Sequence, residues 1–63
     1  MAITIKAARV NAGFTQKEAA KRLKISRGTL ASYEMYKTKP DVHTAQAMAD
    51  LYGTSVNNII WKR

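Results

Sequence analysis

The chain has 63 residues, with eleven Lys and Arg against four Asp and Glu for a formal charge of +7, no cysteine and a single histidine, His43. That size supports one small domain without an interlobe cleft, and the composition excludes a disulfide framework and a thiolate or His-cluster metal site; no nucleophile–base pair is recognisable along the chain, so an enzyme is not expected. No run is apolar enough for a signal peptide or a membrane span, so the cytoplasm is the expected location, and the charge excess points to a polyanionic partner, nucleic acid before membrane.

In chain order, Thr4 caps a first helix over about residues 5–12, with Ile5, Ala8, Arg9 and Ala12 at helical spacing on one face. Gly13 suits the left-handed residue that ends a helix, and Phe14 follows as an apolar plug. Thr15-Gln16-Lys17-Glu18 has the form of a capping box opening a second helix over 16–23. Ala19, Ala20 and Leu23 make its inner face, and the paired alanines predict a close helix–helix approach. Lys17, Lys21 and Arg22 stay on the solvent side.

Lys24-Ile25 reads as a tight turn, with Ile25 holding it to the core. Ser26 caps a third helix over 27–34. Leu30 and Tyr33 point inward there, leaving Arg27, Gly28, Thr29, Ala31 and Ser32 outside. Gly28 lowers helix propensity by about 1 kcal/mol relative to Ala, so this helix depends on tertiary packing. A loop from Met35 to Pro40 carries Lys37, Thr38 and Lys39. Asp41 then caps a fourth helix over 42–52, with a stripe of Val42, Ala45, Met48, Ala49 and Tyr52, ended by Gly53. Ser55 caps a last short helix over 56–60 with Val56, Ile59 and Ile60 inward, and a tail follows from Trp61. No strand-like alternation is present, so the expected class is all-α with five helices.

Helix, tight turn and helix over residues 15–34 have the form of a helix-turn-helix. With Arg9, Thr15, Gln16, Ala20, Leu23, Ile25-Ser26, Leu30, Glu34, Lys37 with Pro40, and Tyr52-Gly53-Thr54-Ser55-Val56, the chain resembles the lambda-repressor-like helix-turn-helix family over about residues 5–60. The resemblance implies a compact five-helix DNA-binding domain whose third helix enters the major groove. Ser26, Arg27, Gly28, Thr29 and Ser32 would then meet base edges. Arg27 suits guanine N7 and O6, worth about 1–3 kcal/mol of discrimination, or alternatively a phosphate. Thr15, Gln16 and Lys17 at the start of the second helix, where free N–H groups attract anions, and Lys37, Thr38 and Lys39 after the third would hold phosphates.

By the same resemblance, Arg9 and Glu34 form a structural ion pair, and two copies pair through Thr54, Val56, Asn57, Asn58 and Trp61 on a near-palindromic operator. Trp61 has the alternative of folding back over Ile59 and Ile60. The implied function is a repressor of phage or mobile-element type acting by promoter occupancy, with no cofactor or metal. The rival is an antitoxin-like or anti-repressor module that uses Met35, Tyr36 and Trp61 to bind a regulatory protein. Two positions depart from the family. Lys24 stands where Gly is usual and is expected in a left-handed conformation. Tyr36 also stands where Gly is usual, and either stacks on a sugar-phosphate or packs at a dimer contact. His43 reads as a surface residue.

Overall fold

A computed structural model describes residues 2–62; Met1 and Arg63, the last residue of the tail, lie outside them. The elements are β1 (Ile3–Thr4), α1 (Ile5–Asn11), α2 (Gln16–Leu23), α3 (Arg27–Glu34), α4 (Val42–Leu51), a 3-10 turn (Val56–Asn58) and β2 (Ile59–Ile60). β1 and β2 pair in parallel, with Ile3 opposite Ile59 and Thr4 opposite Ile60.

Each α-helix starts on a side-chain cap. Thr4, Thr15 and Ser26 accept through their hydroxyls from the N–H of Ala7 (3.1 Å), Glu18 (3.1 Å) and Thr29 (3.0 Å), and Asp41 Oδ1 accepts from Thr44 N–H (2.7 Å). Glu18 returns the favour by accepting from Thr15 N–H at 3.0 Å, which completes the capping box. These bonds from Thr15 and Thr44 hold the Glu18 and Asp41 carboxyls below their ordinary values.

The helix ends are equally uniform. After α1, Phe14 N–H donates to Arg9 C=O and Gly13 N–H to Val10 C=O; after α2, Ile25 to Ala20 and Lys24 to Lys21. After α3, Lys37 donates to Ser32 and Tyr36 to Tyr33; after α4, Thr54 to Ala49 and Gly53 to Asp50. All four are Schellman closures, which need one left-handed residue each. Gly13 (φ 86°) and Gly53 (φ 69°) supply it without strain, whereas Lys24 (φ 60°) and Tyr36 (φ 59°) supply it with a side chain attached. Both strained closures bracket α3.

The fold departs from a five-helix, all-α arrangement. Four α-helices are present, and residues 56–60 split into one 3-10 turn and a strand. A five-residue helix is barely more than a nucleus and gains little from its own hydrogen bonds. Ile59 and Ile60 are β-branched, and so are Ile3 and Thr4, and the extended pairing satisfies both segments at once. α1 and α4 each stop one residue earlier than the sequence pattern suggested, with Ala12 and Tyr52 as their αR caps.

The core is Ile5 and Ala8 of α1, Ala19 and Ala20 of α2, Leu30 of α3, Met48 and Ala49 of α4, with Tyr52 and Ile59. Alanine at 19 and 20 lets α2 pack closely on both α3 and α4. Phe14 packs against this core and tilts onto the Tyr52 ring (centroids 6.3 Å apart), while the Arg22 guanidinium lies over the Phe14 ring, 5.6 Å from its centroid. The α4 stripe is only partly covered: Val42 is 85% exposed, Ala45 is half-buried, and full burial is reached at Met48 and Ala49.

Two stability outcomes follow from this geometry. Lys24→Gly should relieve left-handed strain of about 1 kcal/mol and raise the midpoint of thermal unfolding by roughly 4–8 °C; an unchanged or lower midpoint would show the strain is absent. The buried Tyr52 hydroxyl has no hydrogen-bond partner. Burial, with a further push from the Glu34 carboxylate and opposed by Arg9, raises its pKa from 10.0 to about 12. The unfolded chain therefore ionises first. Stability from this group is whole below pH 10 and lost as the pH climbs towards 12. Tyr52→Phe should remove that alkaline component and cost little at neutral pH, since no hydrogen bond is broken; urea unfolding of both proteins from pH 7 to 11 checks it.

Candidate nucleic-acid interface

α3 is held at both ends. At its start, the Lys24 closure turns the chain so that the half-buried Ile25 packs on the core and Ser26 becomes the cap. At its end, Glu34 is locked into a buried network. Arg9 Nε and Nη2 donate to Glu34 Oε2 (2.7 Å) and Oε1 (3.3 Å), and Arg9 Nη1 donates to the Phe14 carbonyl (2.8 Å). Gln16 Nε2 adds a bond to Glu34 Oε1 at 2.9 Å. Both charged side chains are almost fully buried, at 9% and 3% exposure. One carboxylate thus joins α1, the turn after it, the first residue of α2 and the last of α3. Planar two-point pairing of this kind fixes orientation as well as distance.

Around this frame the remaining positions fall as follows. Arg27 and Gly28 are exposed at the start of α3, while Thr29 and Ser32 are half-buried. The Ser26 and Thr29 hydroxyls lie 2.7 Å apart and bond each other. A Cβ built on Gly28 would meet nothing closer than Ser26 Oγ at 4.0 Å, so no neighbour within the domain requires glycine there. Thr15 uses its hydroxyl as the α2 cap. Gln16 is half-buried and commits one of its two amide hydrogens to Glu34. Lys17, Lys37, Thr38 and Lys39 are exposed.

A cleft of about 600 Å³ opens where the starts of α1, α2 and α3 converge, lined by Lys6, Arg9, Thr15, Gln16, Lys17 and Arg27. Lys6 is absent from the sequence-based set; its only signal was its position one helical turn before Arg9. A second cleft, about 310 Å³, lies beyond α3 and includes Lys37 and Lys39. Among the described residues Arg9–Glu34 is the only ion pair, so these lysines and Arg27 carry uncompensated charge. No group of three His, Cys, Asp or Glu side chains able to hold a metal ion occurs among the described residues, and no helix there is long and apolar enough to cross a membrane.

The residues named for pairing lie elsewhere. Thr54 and Val56 are half-buried, Asn57 and Asn58 exposed, and Asn58 Nδ2 approaches Thr54 Oγ1 at 3.5 Å. Trp61 folds back onto its own chain, its indole N–H donating to the Val56 carbonyl at 2.8 Å. Beside it runs an apolar groove of about 320 Å³ along Pro40, Val42, Ala45 and Val56. Tyr36 does not project outward as an exposed stacking group: its hydroxyl donates to the Ile60 carbonyl (2.6 Å) and accepts from Ile5 N–H (3.3 Å).

A helix capped at a tight turn, presenting its first exposed residues beside a cationic cleft, is the helix-turn-helix arrangement. A sequence profile of the helix-turn-helix family matches residues 5–59, and the chain belongs to that family, in its lambda-repressor-like form. It is similar to the HTH-type transcriptional regulator ImmR of Bacillus subtilis (strain 168), with 40% identity over 58 residues, covering 92% of this chain and 46% of that protein. The chain therefore spans about half the length of that relative. No solved structure matches it significantly.

The Arg9–Glu34 network invites a double-mutant test. Arg9→Met or Glu34→Leu alone strands a buried charge and should cost about 3–5 kcal/mol. The two together should cost clearly less than their sum, as read by urea unfolding. Additive losses would mean that the charges do not depend on one another.

Proposed function

We propose that this chain is a sequence-specific, double-stranded DNA-binding module of a transcriptional regulator, a repressor of phage or mobile-element type that acts by occupying a promoter. The observation that carries the reading is the α3 start: Arg27 and Gly28 exposed beside a cleft to which Lys6, Lys17 and Arg27 bring charge that no ion pair among the described residues offsets. The similarity to a transcriptional regulator along 92% of the chain supports it. α3 enters the major groove, with Ser26, Arg27, Gly28, Thr29 and Ser32 towards the base edges. Arg27 takes a guanine edge. Gly28, which no neighbour within the domain requires, lets the helix approach the bases closely. Thr15, Gln16 and Lys17 hold phosphates on one side of the groove, and Lys37, Thr38 and Lys39 on the other.

One such helix reads only a few base pairs, so the active species is a homodimer on a near-palindromic operator. Val56 and Trp61, with the apolar groove and exposed Val42 beside them, support the pairing surface that also takes in Thr54, Asn57 and Asn58. The same groove favours a second reading, a module that binds a regulatory protein.

Binding to operator selected from random duplex decides among these. Arg27→Ala should erase discrimination at one base pair while largely sparing affinity for random duplex, and Lys39→Ala should weaken all sequences alike. Wild-type affinity should fall with salt at a slope of about −0.9 per neutralised phosphate, and the footprint should span two half-sites. Equal weakening of specific and random duplex by Arg27→Ala makes that residue a phosphate clamp. A footprint of one half-site refutes the dimer, and no duplex binding at all leaves the protein-interaction module.

A further inference from the structure

The cleft beyond α3 has two walls from distant parts of the chain. Tyr36, Lys37, Thr38 and Lys39 form one, and Trp61 and Lys62 form the other. Two hydrogen bonds fix the second wall. The Ile60 carbonyl accepts from the Tyr36 hydroxyl at 2.6 Å, and the indole N–H of the next residue, Trp61, is tied to the Val56 carbonyl at 2.8 Å. Lys62 follows these two anchored residues directly and faces the cleft with Lys37 and Lys39. Three lysines thus line one concave site, and no carboxylate residue occurs among its described lining residues. A cleft lined by one sign of charge concentrates its field on an anion, and the Lys37–Lys39 wall begins within three residues of the α3 end.

We propose that this cleft is a composite phosphate site for the backbone of duplex DNA, in which Lys62 of the tail is the third cation and Tyr36 the positioning residue that holds the tail against the loop. The proposal rests on the DNA-binding reading above and extends it to the C-terminal segment. Tyr36 explains its own strain on this view. A glycine would close α3 more easily but would leave the tail unattached on this side. The left-handed backbone at Tyr36 (φ 59°) accompanies a phenol that reaches the start of α1 and the end of β2, where it meets Ile5 N–H and Ile60 C=O.

The test is the salt dependence of binding to a random-sequence duplex, which reports backbone contacts alone. Lys62→Ala should make the slope shallower by about 0.9, so that the affinity lost between 50 and 200 mM salt is roughly three- to fourfold smaller than for wild type. Lys62→Arg should keep the wild-type slope, and Lys21→Ala, on the outer face of α2, should leave it unchanged. Tyr36→Phe keeps the ring and removes both hydrogen bonds. It should lower the slope in the wild-type background and leave it unaltered in Lys62→Ala, because it acts through Lys62. A wild-type slope in Lys62→Ala overturns the proposal while the DNA-binding reading stands. Equal slope changes for Lys21→Ala and Lys62→Ala also overturn it, as a mere charge effect, and a Tyr36→Phe loss that persists in Lys62→Ala removes Tyr36 from it. If the wild-type protein shows no salt-dependent duplex binding, the underlying reading fails and takes the proposal with it.

Discussion

The Glu34 carboxylate is the point on which the geometry of this domain turns. It sits at the last residue of α3 and receives two bonds from Arg9 and one from Gln16, nearly shut off from water. Arg9 reaches further, to the Phe14 carbonyl, so the turn between α1 and α2 is held by the same group. A buried ion pair of this kind adds little net stability over an apolar substitute, but it tolerates few alternative arrangements, since any displacement strands a charge. That suits a domain whose task is to hold one short helix at a set angle to its neighbours. Gln16 is both a partner in this network and the first residue of α2, so the group proposed to meet a phosphate is connected directly to the end of the helix proposed to meet bases.

Local closure does the rest. Eight-residue helices have few internal hydrogen bonds, and their stability depends on how their free ends are satisfied. Here every α-helix is capped by a Thr, Ser or Asp side chain and closed by a Schellman pair. Glycine serves where nothing else is asked of the position. Lys24 and Tyr36 serve on either side of α3, and only Tyr36 has a visible return, in the bonds that join the loop after α3 to both chain ends. The structure offers no comparable compensation for Lys24.

The small parallel pair is what makes that connection available. β1 runs directly into α1 through Thr4, and β2 directly into the tail, so two strands of two residues each place the beginning and the end of the domain side by side. Tyr36 touches both. The pieces that lie far apart in sequence, the loop at 37–39 and the tail at 61–62, become neighbours through this pairing and the bonds of Tyr36 and Trp61.

Most of the local architecture was legible in the residues themselves. Caps at Thr4, Thr15, Ser26 and Asp41, the stops at Gly13 and Gly53 and the inner alanines of α2 follow from short-range rules of capping, chain reversal and helical spacing, while the left-handed Lys24 followed from the family pattern, which has Gly there. The family pattern brought Arg9 and Glu34 together as well. What the sequence could not decide was set by contacts between separate elements: the extended form of Ile59–Ile60, which depends on Ile3–Thr4 lying beside it; the inward phenol of Tyr36; and the places of Lys6 and Lys62 on the cationic clefts. A five-residue segment with three apolar residues reads equally well as a helix or a strand until a partner supplies the missing hydrogen bonds, and a solvent-side lysine has no periodic signal that tells which cleft it borders. Backbone pairing and charge placement at those positions were decided only by tertiary structure, because their physical partners lie on other elements.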